Sequence, residues 1–173
     1  MIIDNPASHF IFIFHSLAPL GKKYTVRNQI EMTNGEVLQY WGKWIILGER
    51  AYLDEMARKL DPLVEQEKIP CVKYDRTPSV NLDLEECVMM VYGDRRDRDG
   101  IFQILRSFGV KLKAWITEKE TMELWLPGGQ LLERWLAGTD FDNVRKDIMR
   151  EDARMRLTYI FDHPDEIFTP WMQ

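Results

Sequence analysis

One pattern, an apolar strand that ends at glycine and leads directly into an amphipathic helix, occurs twice in this chain and constrains its fold more than any other feature. The first copy has apolar residues 44–47 followed by Gly48-Glu49-Arg50, and the second has residues 87–92 followed by Gly93-Asp94-Arg95. Short, continuous apolar runs are typical of strands that are covered on both faces. Each copy therefore predicts a central strand followed by a helix.

The two predicted helices have apolar residues three and four positions apart. These residues are Leu53, Met56, Ala57, Leu60, Leu63 and Val64 in the first helix and Ile101, Ile104, Leu105 and Phe108 in the second. Such spacing builds one buried stripe on each helix. Pro62 predicts a kink or a restart of the first helix with Asp61 as the new N-cap, and Gly109 ends the second. Residues 70–75 and 110–117 follow as strands, which gives a βαββαβ core.

The connection between the two units decides the fold class. Only eleven residues, among them Pro78 and Asn81, separate Asp75 from Cys87. A loop this short joins neighbouring antiparallel strands more readily than a crossover helix. We therefore predict an α+β fold in two layers, with a mainly antiparallel sheet and both helical stripes on one face. A parallel, doubly wound sheet is the alternative. Residues 1–173 are expected to form a single domain.

The two ends of the chain add further elements. Residues 9–15 are predicted as a strand, and Thr33-Asn34-Gly35 is predicted as the turn of an N-terminal hairpin between residues 24–32 and 37–40. At the C-terminal end, Pro127 to Gly138 bound a short helix, although Gly128-Gly129 could instead turn a hairpin. Thr139 or Asp140 is expected to cap a last helix. Residues 155–161 alternate in a way that fits a helix or a final strand equally.

Composition limits the classes of function. The net charge is −5, and residues 139–173 contain eight acids against five bases, which argues against a bulk electrostatic hold on nucleic acid. Cys71 and Cys87 lack the spacing of a disulfide framework or a zinc site, so both are expected to be reduced, structural thiols. The longest apolar stretches are far shorter than a bilayer span, and no secretory signal is recognised. A cytoplasmic protein without membrane, metal or cofactor is expected.

A basic and aromatic surface is the first candidate ligand site. In residues 110–117, Val110, Leu112, Ala114 and Ile116 alternate with Lys111, Lys113 and Trp115. If helices cover the first set, the second set forms an open face able to bind a planar anion such as a nucleotide. The alternative is that the C-terminal helices cover Trp115, in keeping with a core role for most of the six tryptophans, Trp41, Trp44, Trp115, Trp125, Trp135 and Trp171.

The second candidate is the loop that contains Arg95, Arg96 and Arg98. It joins a strand end to a helix N-terminus, where free backbone N–H groups attract anions. Three arginines there could hold a phosphate. The alternative is a solvated loop in which Asp97 or Asp99 caps the helix and the arginines pair with neighbouring acids, since exposed ion pairs of this kind usually contribute little.

One family resemblance covers residues 42–117. Three segments carry it: Gly42-Lys43-Trp44-Ile45-Ile46-Leu47, the acidic helix through Met56, and the second unit with residues 87–92, Asp94, Asp97, residues 101–105, Arg106 and Gly109-Val110. Together these segments resemble the Bles protein family. That family has the fold of the cap-binding translation-initiation factors, in which two Trp rings sandwich a methylated guanine and basic residues hold its phosphates. The resemblance implies a sheet covered by helices, with Trp41 or Trp44 and Trp115 as the ring pair.

The residues nominate no catalytic machinery. His9, His15 and His163 are far apart in the sequence, and no nucleophile motif, metalloprotease motif or phosphate loop is present. Nine Met and six Trp instead suggest an interaction surface, because Met and aromatic residues are enriched in interface cores. We therefore expect a non-catalytic module for self-association or partner binding, as a homodimer through the open sheet face or the Trp125/Trp135 helix. The alternative is a binder of a planar anionic ligand.

Overall fold

A computed structural model describes residues 1–170 and contains a six-stranded sheet in which every pair of neighbours is antiparallel. The strand order is β1 (Ile2–Ile3), β2 (Phe10–Ile13), β6 (Cys71–Asp75), β7 (Cys87–Asp94), β5 (Trp41–Gly48) and β8 (Trp115–Thr117). The remaining strands, β3 (Val26–Arg27) and β4 (Ile30–Glu31), form a separate hairpin. The predicted α+β class is confirmed. The parallel alternative is wrong, because β6 pairs with β7 and β2 and is not a neighbour of β5.

Six helices complete the described part of the chain. They are α1 (Asn34–Tyr40), α2 (Arg50–Glu65), α3 (Arg98–Ser107), α4 (Glu118–Leu124), α5 (Gln130–Ala137) and α6 (Asn143–Asp162). Two short 3-10 turns lie at Ala18–Leu20 and Val80–Leu82. Residues 155–161, whose sequence fits a helix or a strand, belong to α6.

The main core lies between one sheet face and helices α2 and α3. The predicted stripe of α2 is buried through Leu53, Met56 and Leu60, and α3 contributes Ile101 and Leu105. Alternate residues of the four inner strands meet them: Ile11, Ile13, Trp44, Ile46, Val72, Tyr74, Cys87, Met89 and Val91. The strands place alternate residues on this face, and the helices place residues three and four positions apart on one side. The apolar sides of the strands and helices therefore pack together, as expected.

A second apolar cluster covers one end of the opposite sheet face. Trp41 and Tyr92 contribute to it from the sheet, while helices α1, α4 and α6 supply Val37, Met122 and Leu157. The C-terminal third of the chain thus folds back onto the sheet. The rest of this second face is left with partly exposed side chains.

The predicted turn at Thr33-Asn34-Gly35 is wrong, because these residues begin helix α1. The Thr33 side chain accepts a hydrogen bond from the Glu36 amide, and the Glu36 carboxylate accepts one from the Thr33 amide at 2.8 Å. This capping box satisfies two free N–H groups of the first helical turn. The nearby hairpin turns instead at Asn28 and Gln29, which both have positive φ.

Two helix boundaries also differ from the predictions. Pro62 lies inside α2 without a restart at Asp61. Pro62 and Arg58, whose carbonyl loses its N–H donor, are both exposed, so water can replace the missing bond. Helix α6 is capped by Asp142 rather than by Thr139 or Asp140, since the Asp142 carboxylate accepts from the Arg145 amide at 2.7 Å.

The predicted strand over residues 110–117 is shorter than expected. Only Trp115–Thr117 pairs with β5, while Lys111, Leu112 and Lys113 are exposed and lie outside any regular element. Helix α5 begins at Gln130 with Gly129 at the N-cap, so Gly128-Gly129 precedes a helix and does not turn a hairpin.

Candidate functional site

The sheet face opposite α2 and α3 carries charged side chains in an apolar setting. The strand register sets them in rows: Phe10 and Asp75 in one, Phe12, Lys73, Met90 and Ile45 in the next, and Cys71, Tyr92, Lys43 and Ile116 in the third. Two lysines and one aspartate therefore stand on a surface that is otherwise mostly apolar. Each of the three is buried.

Lys43 is buried but paired. Its ammonium group donates a 2.9 Å hydrogen bond to the Glu118 carboxylate and lies 5.4 Å from the centre of the Tyr92 ring. Glu118 is the first residue of α4, which Thr117 caps by accepting from the Glu120 amide. The cap therefore fixes the start of α4 where Glu118 meets Lys43. Burial, followed by the nearby Glu118 charge, raises the pKa of Tyr92 well above its ordinary value.

Lys73 is buried without a carboxylate partner. It is 9% exposed, and within residues 1–170 no acidic oxygen lies within 4.0 Å of its ammonium nitrogen. The nitrogen lies 4.3 Å from the centre of the Phe10 ring, which is a cation–π contact. Burial, and next the positive charge of Lys43, lowers the pKa of Lys73 to about 8. An amine with this pKa is partly neutral at the pH of most cells.

The acids near Lys73 have other partners. The Asp75 carboxylate lies 3.3 Å from His9 Nε2 and accepts a 2.9 Å hydrogen bond from the Val88 amide. Burial raises the pKa of Asp75, although these two contacts oppose the change. Glu118 forms its ion pair with Lys43. The one cation without an ion-pair partner on the described part of this face is therefore Lys73.

An aromatic ladder lies beside Lys73 along β2. The Phe12 and Phe14 rings stack with centres 5.4 Å apart, and the Tyr24 ring stacks on Phe14 at 5.3 Å. Phe10 meets Phe12 edge to face at 6.3 Å. Because all four rings are partly exposed, their surfaces remain available for contact.

Trp41 and Trp44, two of the residues nominated to stack on a ligand, lie in the core, in keeping with the core role expected for most of the six tryptophans. Trp41 and Trp44 are each 2% exposed, so stacking on a ligand would require either ring to leave the core. Trp44 also donates a 2.9 Å hydrogen bond to the Arg98 carbonyl. The ring centres of Trp44 and Trp115 lie 5.2 Å apart in an edge-to-face arrangement, which leaves no gap for a base between them. Trp171 lies outside the described residues.

Trp115 points to the face covered by α2 and α3, so the expectation of an open position for this ring is wrong. In the register it lies opposite Trp44, and its indole ring covers Gly42. A Cβ at Gly42 would come within 2.5 Å of the Trp115 ring and 2.8 Å of the Ile116 carbonyl. The glycine therefore provides the space that this ring occupies. The indole N–H of Trp115 is buried with no hydrogen-bond partner.

Lys111 and Lys113 lie on the segment before β8, and both are exposed. The Lys113 ammonium is 5.6 Å from the centre of the Phe102 ring, beside α3. Trp115, by contrast, is turned into the core cluster. The three residues therefore do not form one continuous basic and aromatic face.

The arginine loop is largely paired. Arg96 donates two side-chain hydrogen bonds to Asp94, and its guanidinium lies 3.7 Å from the centre of the Tyr40 ring. Burial opposes ionisation of Asp94, but the hydrogen bonds from Arg96 lower its pKa overall. Arg98 lies 3.6 Å from Asp99, while Arg95 is exposed. This arrangement resembles the solvated alternative more than a preformed phosphate clamp.

Helix α6 presents apolar side chains on two opposite faces. Leu157 and Ile160 are buried against the second cluster, whereas Val144, Ile148, Met155 and Tyr159 are between 49% and 69% exposed. At 100° per residue, these four fall within about 60° of one another around the helix. We call this set the outer α6 stripe. An open groove of about 590 Å³ runs beside Met155 and Tyr159, between α6 and the segment that includes Ile167.

Sequence reasoning missed both the lysines of the sheet face and the outer α6 stripe. Lys73 lies in the middle of the Cys-Val-Lys-Tyr-Asp strand, and Lys43 lies between Gly42 and Trp44. For the lysines, the signal in the sequence was a charged residue inside an apolar strand. The outer α6 stripe was missed because the spacing of Val144 and Ile148 also fits the buried face of an ordinary amphipathic helix. Both cysteines, as predicted, are free and buried.

Comparison with family models, with curated proteins and with solved structures finds no match for this chain. Across residues 1–170, no helix is long and apolar enough to cross a membrane. In the same residues, no three His, Cys, Asp or Glu side chains are grouped closely enough to hold a metal ion.

Proposed function

We propose that this chain is a non-catalytic self-association module in which the outer α6 stripe packs against the same stripe of a second copy. The observation that supports this proposal is an exposed set of apolar residues on one side of the 20-residue helix α6: Val144, Ile148, Met155 and Tyr159. Several exposed apolar side chains on one face of a helix mark an interaction site. Within the chain the helix packs through its opposite face, and of the outer stripe Tyr159 stacks on His163 and donates a 2.6 Å hydrogen bond to the Glu166 carboxylate.

The spacing of the stripe favours an identical partner. The intervals between its four residues are four, seven and four, and this order reads the same from either end. In an antiparallel pair with two-fold symmetry, Val144 then lies opposite Tyr159 and Ile148 lies opposite Met155. The contact would extend over roughly 22 Å of helix at 1.5 Å per residue.

The charges near the centre of the stripe are balanced within each copy. Glu151 and Asp152 lie near that centre, and each is paired within its own helix, with Arg154 and Arg156 respectively. These internal pairs reduce the repulsion between acids of the two copies.

The location proposed for this module is the cytoplasm. Cys71 and Cys87 are both free and buried, which suits a reducing compartment. Burial raises the pKa of each thiol, so neither is activated as a nucleophile.

Light scattering after size-exclusion chromatography, over about 1 to 100 µM chain, tests self-association. We expect a dimer of twice the 20.6 kDa chain mass at the upper end of this range. Ile148→Glu should convert it to monomer by placing a charge in the apolar contact. Val80→Glu is the matched control, because Val80 is 85% exposed and lies outside the stripe. A monomeric wild type, or equal dimerisation of Ile148→Glu, would overturn the proposal.

Cross-linking of single-cysteine positions tests the antiparallel register. Glu151→Cys lies beside the proposed two-fold axis, so a short bismaleimide should join two copies. Val144→Cys lies far from its own counterpart in an antiparallel pair and should not react across the contact. Efficient linking at both positions would indicate a parallel pair and contradict the register. The native cysteines are buried, which limits their competing reaction.

A further inference from the structure

Lys73 is the buried ionisable group whose surroundings the proposed self-association leaves unexplained. It lies at the middle of β6, and the strand register sets Phe12 on one side of it and Met90 on the other. Ile45 continues the same row on β5. Phe12, Met90 and Ile45 are all partly exposed, so the row forms an apolar surface around one ammonium group.

The ammonium nitrogen of Lys73 has no protein partner but keeps contact with solvent. Two side-chain polar atoms within residues 1–170 are fully buried without a hydrogen bond, Asp61 Oδ1 and Trp115 Nε1, and Lys73 Nζ is not one of them. The stem is therefore covered, while the nitrogen keeps some contact with solvent. That contact gives a ligand a route to the charge.

The charges around Lys73 define what would be bound. Lys43 is neutralised by Glu118 at 2.9 Å, and Asp75 is held by His9 and the Val88 amide. Of the two lysines, only Lys73 therefore lacks a direct carboxylate contact. A monoanion can supply that contact, whereas a dianion would add an excess charge close to Asp75 and Glu118.

We propose that this part of the sheet face binds a small apolar monocarboxylate, with the carboxylate on Lys73 and the hydrocarbon or ring on Phe10, Phe12 and Met90. The carboxylate supplies the charge-assisted hydrogen bond that Lys73 lacks in the protein. The apolar part of the ligand removes partly exposed aromatic and Met surface from water. This site is independent of α6, so it goes beyond the proposed self-association and stands or fails separately.

Titration followed by NMR of methyl-labelled methionine tests the proposal, with 2-naphthoate as an aromatic probe and octanoate as an aliphatic one. We expect saturable shifts of the Met90 methyl signal with at least one probe. Preference between the two distinguishes an aromatic from a fatty ligand. The neutral analogue 2-naphthalenemethanol should bind at least about tenfold more weakly than 2-naphthoate, since it cannot pair with the charge.

Variants distinguish a site at Lys73 from general attraction of anions. Lys73→Met should weaken carboxylate binding at least about tenfold, whereas Lys113→Met, at an exposed lysine on the other side of the sheet, should leave it unchanged. Equal binding by wild type and Lys73→Met would overturn the proposal. Absence of saturable shifts with both probes would also overturn it. Loss of dimerisation in Ile148→Glu has no bearing on either result.

Discussion

Lys43 and Lys73 stand on the same face of the sheet in adjacent rows, and only Lys43 has a carboxylate partner. Lys43 is 4% exposed and bonded to Glu118, while Lys73 faces Phe10 with no acid within 4.0 Å in the described chain. A largely buried charge without a partner opposes folding because burial removes most of its hydration. The two lysines should therefore respond in opposite ways to removal of their charge.

Lys73→Met should stabilise the protein at neutral pH. The folded-state pKa of about 8 lies below the ordinary lysine value of 10.5, so the charge on Lys73 lowers the free energy of unfolding at pH 7 by roughly 3 kcal/mol. Methionine fills a similar volume without a charge. Urea unfolding of the wild type and the variant at pH 7 measures the gain.

The pH dependence of the stability gained in Lys73→Met shows whether the gain comes from removal of the charge. Between pH 8 and about 10.5 the unfolded chain binds more protons than the folded chain, so wild-type stability rises relative to the variant. The advantage of Lys73→Met should be full below pH 8 and decline across this range. A difference that stays constant from pH 7 to 10.5 would instead reflect side-chain packing.

Glu118→Gln should destabilise the protein by roughly 3 kcal/mol, since it leaves the buried Lys43 charge without its counterion. The double variant Lys43→Met, Glu118→Leu should recover most of the loss, because it removes both charges. Urea unfolding of both variants and the wild type measures the loss and its recovery. A loss below about 0.5 kcal/mol for Glu118→Gln would show that water or another group replaces the carboxylate.

The strand and helix pattern was predictable because its causes are local. Residues 44–47 and 87–92 are apolar throughout, and the stripes beginning at Leu53 and Ile101 have helical spacing, so these elements formed as expected. At Thr33 two local signals competed. Asn34-Gly35 favours a turn, but Glu36 completes a capping box with Thr33, and the box prevails.

The site depended on contacts between distant residues, which spacing does not reveal. Lys43 and Glu118 are 75 positions apart, and whether a lysine is paired or unpaired depends on which strands become neighbours. The sequence did not determine which face of the strand over 110–117 the helices cover, so an open and a covered Trp115 were both possible. The register with Trp44 begins only at Trp115, and this sets the ring on the helix-covered face.

Gly42→Ala should destabilise the protein by about 2 kcal/mol or more, because the new methyl group would meet the Trp115 ring and the Ile116 carbonyl. Gly100→Ala is the matched control. Gly100 lies in α3 with open space around its Cα, so alanine there should stabilise the helix by roughly 0.5–1 kcal/mol. Thermal unfolding of both variants should give melting temperatures on opposite sides of the wild-type value. Equal values would show that the Trp115 ring moves without cost.

The two capping boxes provide a last test, because they are alike locally and differ in what they support. Thr33→Ala and Thr117→Ala each remove a side-chain bond to the third helical amide and should cost about 1 kcal/mol.

Thr117 also fixes the start of α4, where Glu118 meets the buried Lys43, whereas Thr33 caps α1. Combined with Glu118→Gln, the loss from Thr117→Ala should therefore fall below additivity by about 0.5 kcal/mol or more, since the cap no longer supports an ion pair. Thr33→Ala should remain additive with Glu118→Gln. Urea unfolding of the two double-mutant cycles measures both couplings, and equal couplings would mean that the cap at Thr117 stabilises α4 without positioning Glu118.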